Sequence, residues 1–185
     1  MSHSDHWDKT AIEILSKDLL VLCQPEGADR IREGGFASVQ PVASEFQWRG
    51  IHFVRTGGMH GTGEIGRRLG PVSGFILRAE GAPCLYITGD TIWCSDVDRA
   101  ILQYQPDVIV VNAGAAQFLE GDPITMTAED VIQVCKTAPN AQVIAVHMEA
   151  INHCLLTRKE LGERLEQAGL LDKVQIPMGG TLIQL

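Results

Sequence analysis

At 185 residues, 45% hydrophobic and 21% charged, the chain is long enough for one domain with a buried core. A net charge of -8 argues against nucleic acid or an anionic membrane surface as the main partner, because both reward a basic face. No apolar run approaches the roughly 18–20 residues of a membrane span, and the polar first ten residues carry no signal-peptide core.

In chain order, Thr10 and Glu13 have capping-box spacing and predict a short helix with Ala11, Ile12 and Leu15 inward. "LLVLC" reads as a buried strand and "GADRIREGG" as a short helix closed by glycine. From Val39 to Val54 the pattern predicts two antiparallel strands around a turn near Arg49-Gly50. A glycine-dense loop, "TGGMHGTGEIG", precedes a second hairpin, "SGFILRAEGAPCLYIT", turning at Glu80-Gly81. The runs "DVIVV" and "QVIAV" predict strands covered on both faces. Between them, Ala128, Val131, Ile132 and Cys135 follow the spacing of an amphipathic helix opened by Thr127 and Asp130. Thr157 and Glu160 open another helix, which Gly169 is placed to end. "KVQIP" and "TLIQL" supply two last strands, completing a sheet-rich α/β domain with helices outside. Five cysteines, odd in number and without a C-x-x-C pair, read as buried thiols of a cytoplasmic protein.

Three buried runs end on polar residues. "LYITGD" delivers Asp90, "VIVVNAG" delivers Asn112, and "VIAVHME" delivers His147 and Glu149. One such ending is usually a turn former, but ligands of α/β sheets gather beyond the carboxyl ends of strands, and three endings in succession point there. At the amino terminus, "HSDH" groups His3, Asp5 and His6, whose nitrogen and carboxylate donors suit a transition metal better than calcium or magnesium. His60 sits in the glycine loop, where absent side chains let another group approach the backbone. His52 lies inside a strand pattern and is assigned to packing or surface. His153 either lines the same crevice as His147 or caps the following helix. "GTGEIG" also matches G-x-G-x-x-G, yet "RRLGPVSGFIL" is expected to turn back into a strand, which argues against dinucleotide binding. Arg67 and Arg68 would suit a phosphate or carboxylate, although an exposed pair of arginines is commonly just solvated.

In order along the chain, "HSDH", "MHG", "TGDT" and "VHME" resemble the motifs of the metallo-β-lactamase superfamily of metal-dependent hydrolases. "GPVSGFIL", "LYITGDT" and "AVHMEAINH" are similar to the branch holding ascorbate-6-phosphate lactonase and the N-acyl phosphatidylethanolamine phospholipase D type enzymes. The resemblance implies an αββα sandwich, one domain over residues 1–185, and a metal-activated hydroxide acting on an ester, lactone or phosphodiester bond. It implies one metal held by His3 and His60, a second by Asp5, His6 and His147, and Asp90 bridging both. Asp5, Asp90 and His153 would be the catalytic residues, with His153 binding the oxyanion or protonating the leaving group. One or two divalent transition metals are implied, zinc first and manganese or iron next. The family's motif has a further histidine where this chain has Met1, so an N-terminally truncated domain is expected, with the family's first strands absent. Exposed apolar surface would then favour a homo-oligomer acting on a small-molecule substrate. The alternative is a non-catalytic metal-binding remnant or assembly module that needs a partner to complete the fold.

Overall fold

The computed structural model of the chain describes residues 6–149 and 151–184. They fall into two compact units, one ending at Phe46 and one beginning at Gln47.

The first unit contains α1 (Lys9–Ile14), β1 (Leu20–Cys23), α2 (Ala28–Glu33) and β2 (Ser38–Pro41). β1 and β2 pair in parallel, with Leu20 opposite Ser38 and Cys23 opposite Pro41. Phe36 is buried; the Trp7 ring packs 5.1 Å from it and the Lys17 ammonium sits 4.2 Å over its face. The first helix is capped by Asp8, whose carboxylate accepts from Ala11 N, and not by the expected Thr10. Asp is among the strongest N-caps, so the helix starts as soon as the chain offers one.

The larger unit is built on a seven-stranded sheet in the order β3 to β9: β3 (Glu45–Trp48), β4 (Ile51–Thr56), β5 (Gly74–Arg78), β6 (Leu85–Ile87), β7 (Val108–Asn112), β8 (Gln142–Val146) and β9 (Val174–Gln175). The stretch from Val39 to Val54 therefore makes three strands where two were expected. β2 leaves to pair with β1, and β3 and β4 form the anticipated hairpin. Arg49 and Gly50 both have positive φ, 47° and 80°, as a two-residue type I′ turn requires. β4, β5 and β6 are antiparallel neighbours, whereas β6, β7, β8 and β9 run parallel.

The parallel crossovers carry α4 (Ser95–Tyr104), α5 (Ala128–Thr137) and α6 (Arg158–Gln167). Their apolar stripes, such as Val97 and Ile101, Val131 and Val134, Leu161 and Leu165, close over Tyr86, Ile109, Val111 and Val143 in one core. Each such buried side chain contributes about 1.5–3 kcal/mol from apolar burial. The two expected capping boxes are present at Thr127/Asp130 and Thr157/Glu160, and Gly169, at φ 68°, ends α6. Burial also pushes the Tyr86 phenol up to about 12 and the Cys135 thiol up to about 11.

One element was missed and one expected strand does not form. α4 was not anticipated, although Val97, Ala100, Ile101 and Tyr104 have helical spacing. "TLIQL" forms no strand over residues 181–184: it follows Gly179-Gly180, and Leu182 is almost wholly exposed, so no packing offsets the entropy of ordering it. Among the described residues no helix is long and apolar enough to cross a membrane.

Candidate metal centre

Parallel pairing of β6, β7 and β8 brings their carboxyl ends to one edge of the sheet. Asp90 follows β6, Asn112 ends β7 and His147 follows β8, so the three polar endings read from the sequence converge. Asp90 is 1% exposed. The Asn112 side-chain amide donates to Asp90 Oδ1 at 2.5 Å, and His147 Nε2 lies 3.8 Å from the same oxygen. Asn112 itself is fixed by its place in β7, and its carbonyl accepts from Met126 N at 3.1 Å.

The glycine loop after β4 presents His60, which is 4% exposed. His60 Nδ1 lies 2.8 Å from the Ile124 carbonyl, which can only accept. The Nδ1 position therefore carries the proton, and the lone pair of the neutral ring falls on Nε2. The loop is stitched to the Asp90 turn. Thr91 Oγ1 accepts from Met59 N at 2.8 Å, and Ile92 N donates to the Met59 carbonyl at 2.9 Å.

Close approach to the loop glycines is real, but the approaching groups belong to the protein. A Cβ on Gly58 would meet Val72 at 2.8 Å, and one on Gly61 would meet Ile124 at 2.7 Å. Contrary to expectation, the loop leads into a helix, α3 (Gly63–Leu69), with Arg67 and Arg68 exposed in its last turn. The strands flanking it are antiparallel, unlike a dinucleotide-binding βαβ unit, and a Cβ on Gly66 would lie 2.5 Å from the Gly61 carbonyl. That glycine is spent on packing the loop against its own helix.

His147 departs from the strand with φ 58°, a left-handed conformation that is uncommon for a non-glycine residue. Its surroundings enforce it. Gly114 abuts the His147 carbonyl so closely that a Cβ there would sit 2.4 Å from the oxygen. Cys154 Sγ donates to that carbonyl at 3.6 Å and lies 3.8 Å from His147 Nδ1. Cys154 thus contacts both the carbonyl and the ring of His147, and a neutral ring with its proton on Nδ1 would turn the Nε2 lone pair toward Asp90 for a metal ion. Glu149, also left-handed at φ 56°, accepts from Arg158 N at 3.1 Å and pairs with the Arg158 guanidinium, tying this loop to the start of α6. Those hydrogen bonds hold the Glu149 carboxyl below its ordinary value.

Of the remaining sequence candidates, His153 does not cap α6, a role taken by Thr157. Its ring stacks on Phe118 at 5.9 Å between centroids and 17° between planes. His52 is a half-buried strand residue opposite Arg78, as assigned. His6 is exposed in the first unit, ahead of α1, whereas His3 and Asp5 lie outside the described residues. None of the five cysteines forms a disulfide. Sequence reasoning missed Cys154 as a neighbour of His147, because "INHCLL" gives no local sign that its thiol turns back seven residues.

The donor set fits a divalent metal. Two donors each about 2.0–2.2 Å from one ion can be no more than about 4.4 Å apart, and the carboxylate and imidazole meet at 3.8 Å. An Nδ1–H bonded to a carbonyl, as in His60, is the usual orienting contact of a metal-binding imidazole.

An α/β sheet with imidazole and carboxylate at the ends of its parallel strands defines a class of metal-site proteins. The chain belongs to the beta-lactamase superfamily: the model of the beta-lactamase superfamily domain matches residues 2–148. It is 36% identical over 180 residues to the UPF0173 protein YddR of Bacillus subtilis (strain 168), covering 96% of this chain and 71% of that one. Its structure is similar to that of a possible metal-dependent hydrolase from Veillonella parvula DSM 2008, with TM-score 0.96, 35% identity, and 100% of this chain and 74% of that one covered. It is also similar to an isothiocyanate hydrolase from Delia radicum gut bacteria, with TM-score 0.94, 34% identity and the same shares covered. The αβ architecture expected from the motifs is that of these metallo-β-lactamase-fold neighbours. Membership makes this a metallo-hydrolase superfamily protein, for which a divalent metal and a small-molecule substrate are implied.

Proposed function

We propose that the protein is a hydrolase whose metal centre uses Asp90, His147 and His60, completed by His3, Asp5 and His6. The observation that supports this reading is the approach of the half-buried His147 to the buried Asp90 carboxylate at 3.8 Å, with Asn112 on the carboxylate. His60 and His3 would hold one ion, Asp5, His6 and His147 a second, and Asp90 would contribute to both. Zinc is the first choice for the site and manganese or iron the next. When bound, the ions would supply Lewis acidity, which lowers the pKa of water to about 7.

The protein's own residues then divide the work. Asn112 keeps the Asp90 oxygens aimed at one point, Cys154 and Gly114 fix the His147 ring, and the Ile124 carbonyl fixes that of His60. His153 protonates the leaving group or binds the oxyanion. The scissile bond is an ester, lactone or phosphodiester, in keeping with the sequence likeness to the lactonase and phospholipase D type branch. The isothiocyanate hydrolase similarity favours a second substrate, the cumulated N=C=S group, whose central carbon accepts water at the same centre.

The test is a screen of metal-supplemented protein against a 4-nitrophenyl ester, a lactone, bis(4-nitrophenyl) phosphate and an alkyl isothiocyanate. Turnover of at least one, abolished by chelator and by His147→Ala, is expected. Turnover insensitive to both would contradict the reading.

A further inference from the structure

We infer that the open groove between α3 and the loop 117–121 binds an uncharged, apolar part of the substrate, a conclusion that rests on the hydrolase reading above. The groove has a volume of about 680 Å³, within the ~300–1,000 Å³ of small-molecule sites. Ile65 and Leu69 from α3 face Phe118 and Leu119 from the loop, with Glu64, Arg68 and Glu120 also lining it.

Both walls are anchored on the candidate centre. α3 begins three residues after His60, and the facing loop runs on to Ile124, whose carbonyl holds His60 Nδ1 at 2.8 Å. Thr62 Oγ1 donates to Asp122 Oδ2 at 2.7 Å, joining one wall to the other. At its opposite end the loop carries Phe118, stacked on His153, and Gln117 N donates to the His153 carbonyl at 2.9 Å. A ligand lying on Phe118 and Leu119 is thus flanked by the segments that present His60 and His153.

The lining decides what kind of ligand fits. Phe118 is 47% exposed and Leu119 is fully exposed, so two large apolar side chains stand side by side in water beside a polar rim, available to an apolar ligand. The rim holds one cation, Arg68, against two anions, Glu64 and Glu120. Such a rim repels a phosphate or phosphodiester and leaves a neutral acyl, alkyl or aryl group as the matching occupant. The apolar walls bind it through buried area, and the charges stay in solvent.

The test uses the full chain in two forms. With metal, hydrolysis of 4-nitrophenyl acetate, butyrate, hexanoate and octanoate is followed for the wild type, Leu119→Ser and Leu119→Met. With the metal removed, displacement of Nile red by 1-butanol, 1-hexanol and 1-octanol is followed by fluorescence. The proposal expects kcat/KM to rise by up to about fourfold per methylene that enters the groove. Leu119→Ser should flatten that rise, and Leu119→Met should restore it. The alkanols should show the same chain-length order and the same dependence on Leu119. If no ester is hydrolysed but the alkanols still bind in that order, the groove stands and the hydrolase reading falls. Equal rates and affinities across both series, or tenfold preference for bis(4-nitrophenyl) phosphate over the octanoate ester, would overturn the proposal.

Discussion

Replacing Asn112 by leucine, close to it in volume, removes the donor to Asp90 while filling the space. The hydrogen bond is 2.5 Å long, both groups are buried, and the acceptor is a carboxylate. A hydrogen bond to a charged group contributes about 1.5–3 kcal/mol. For a chain of 185 residues, 1 kcal/mol moves Tm by about 2–4 °C, so the expected loss in chelator is roughly 3–12 °C. Thermal unfolding followed by circular dichroism, with chelator and then with saturating zinc, measures both states. Zinc supplies a new partner for the carboxylate, so the deficit of Asn112→Leu should shrink when metal is present. A Tm within 1 °C of wild type in chelator would refute the reasoning, because it would mean Asp90 takes nothing from Asn112.

Further outcomes follow from the same packing. Gly114→Ala places a Cβ 2.4 Å from the His147 carbonyl, a backbone atom with little room to yield, and should destabilise by about 1–3 kcal/mol. Metal affinity, read by competition with a chromophoric chelator, should fall in the same variant. With its thiol pushed up to about 11, Cys135 holds about a thousandth as thiolate at pH 8, so peptide mapping after timed iodoacetamide treatment should find it among the last cysteines alkylated. Glu160 is held below its ordinary value by the backbone N–H and hydroxyl of Thr157. Its folded value is the lower one, so its stabilisation is present above about 4.5, the unfolded value, and is lost as pH falls through the folded value. Glu160→Gln should therefore weaken the pH dependence of Tm between pH 5 and pH 3, which scanning calorimetry would detect.

The sheet edge was legible in the sequence because continuous β-branched runs mark parallel strands and a polar residue at each end breaks the pattern abruptly. Asp90, Asn112 and His147 were found that way, and parallel pairing then brought them together. What stayed hidden depends on contacts distant along the chain. β2 pairs with β1 across α2, so local alternation could not separate it from β3 and β4. α4 lies in a segment where no element was expected from the sequence, and its helical spacing declares itself only once Val97 and Ile101 have a sheet to cover. The roles of Cys154 and of the Ile124 carbonyl arise when loops fold back on His147 and His60. Sequence patterns record periodicity and turn chemistry, whereas these ring-orienting contacts have neither.

The central claim is that Asp90 and His147 hold a divalent metal. The most direct measurement is metal content per chain, by elemental analysis of untagged protein purified without added metal, compared with Asp90→Ala and His147→Ala. The account predicts one to two equivalents of a transition metal in the wild type and less in each variant, with the variants still folded by circular dichroism. No metal in the wild type even after dialysis against zinc, or equal content in all three proteins, would contradict it.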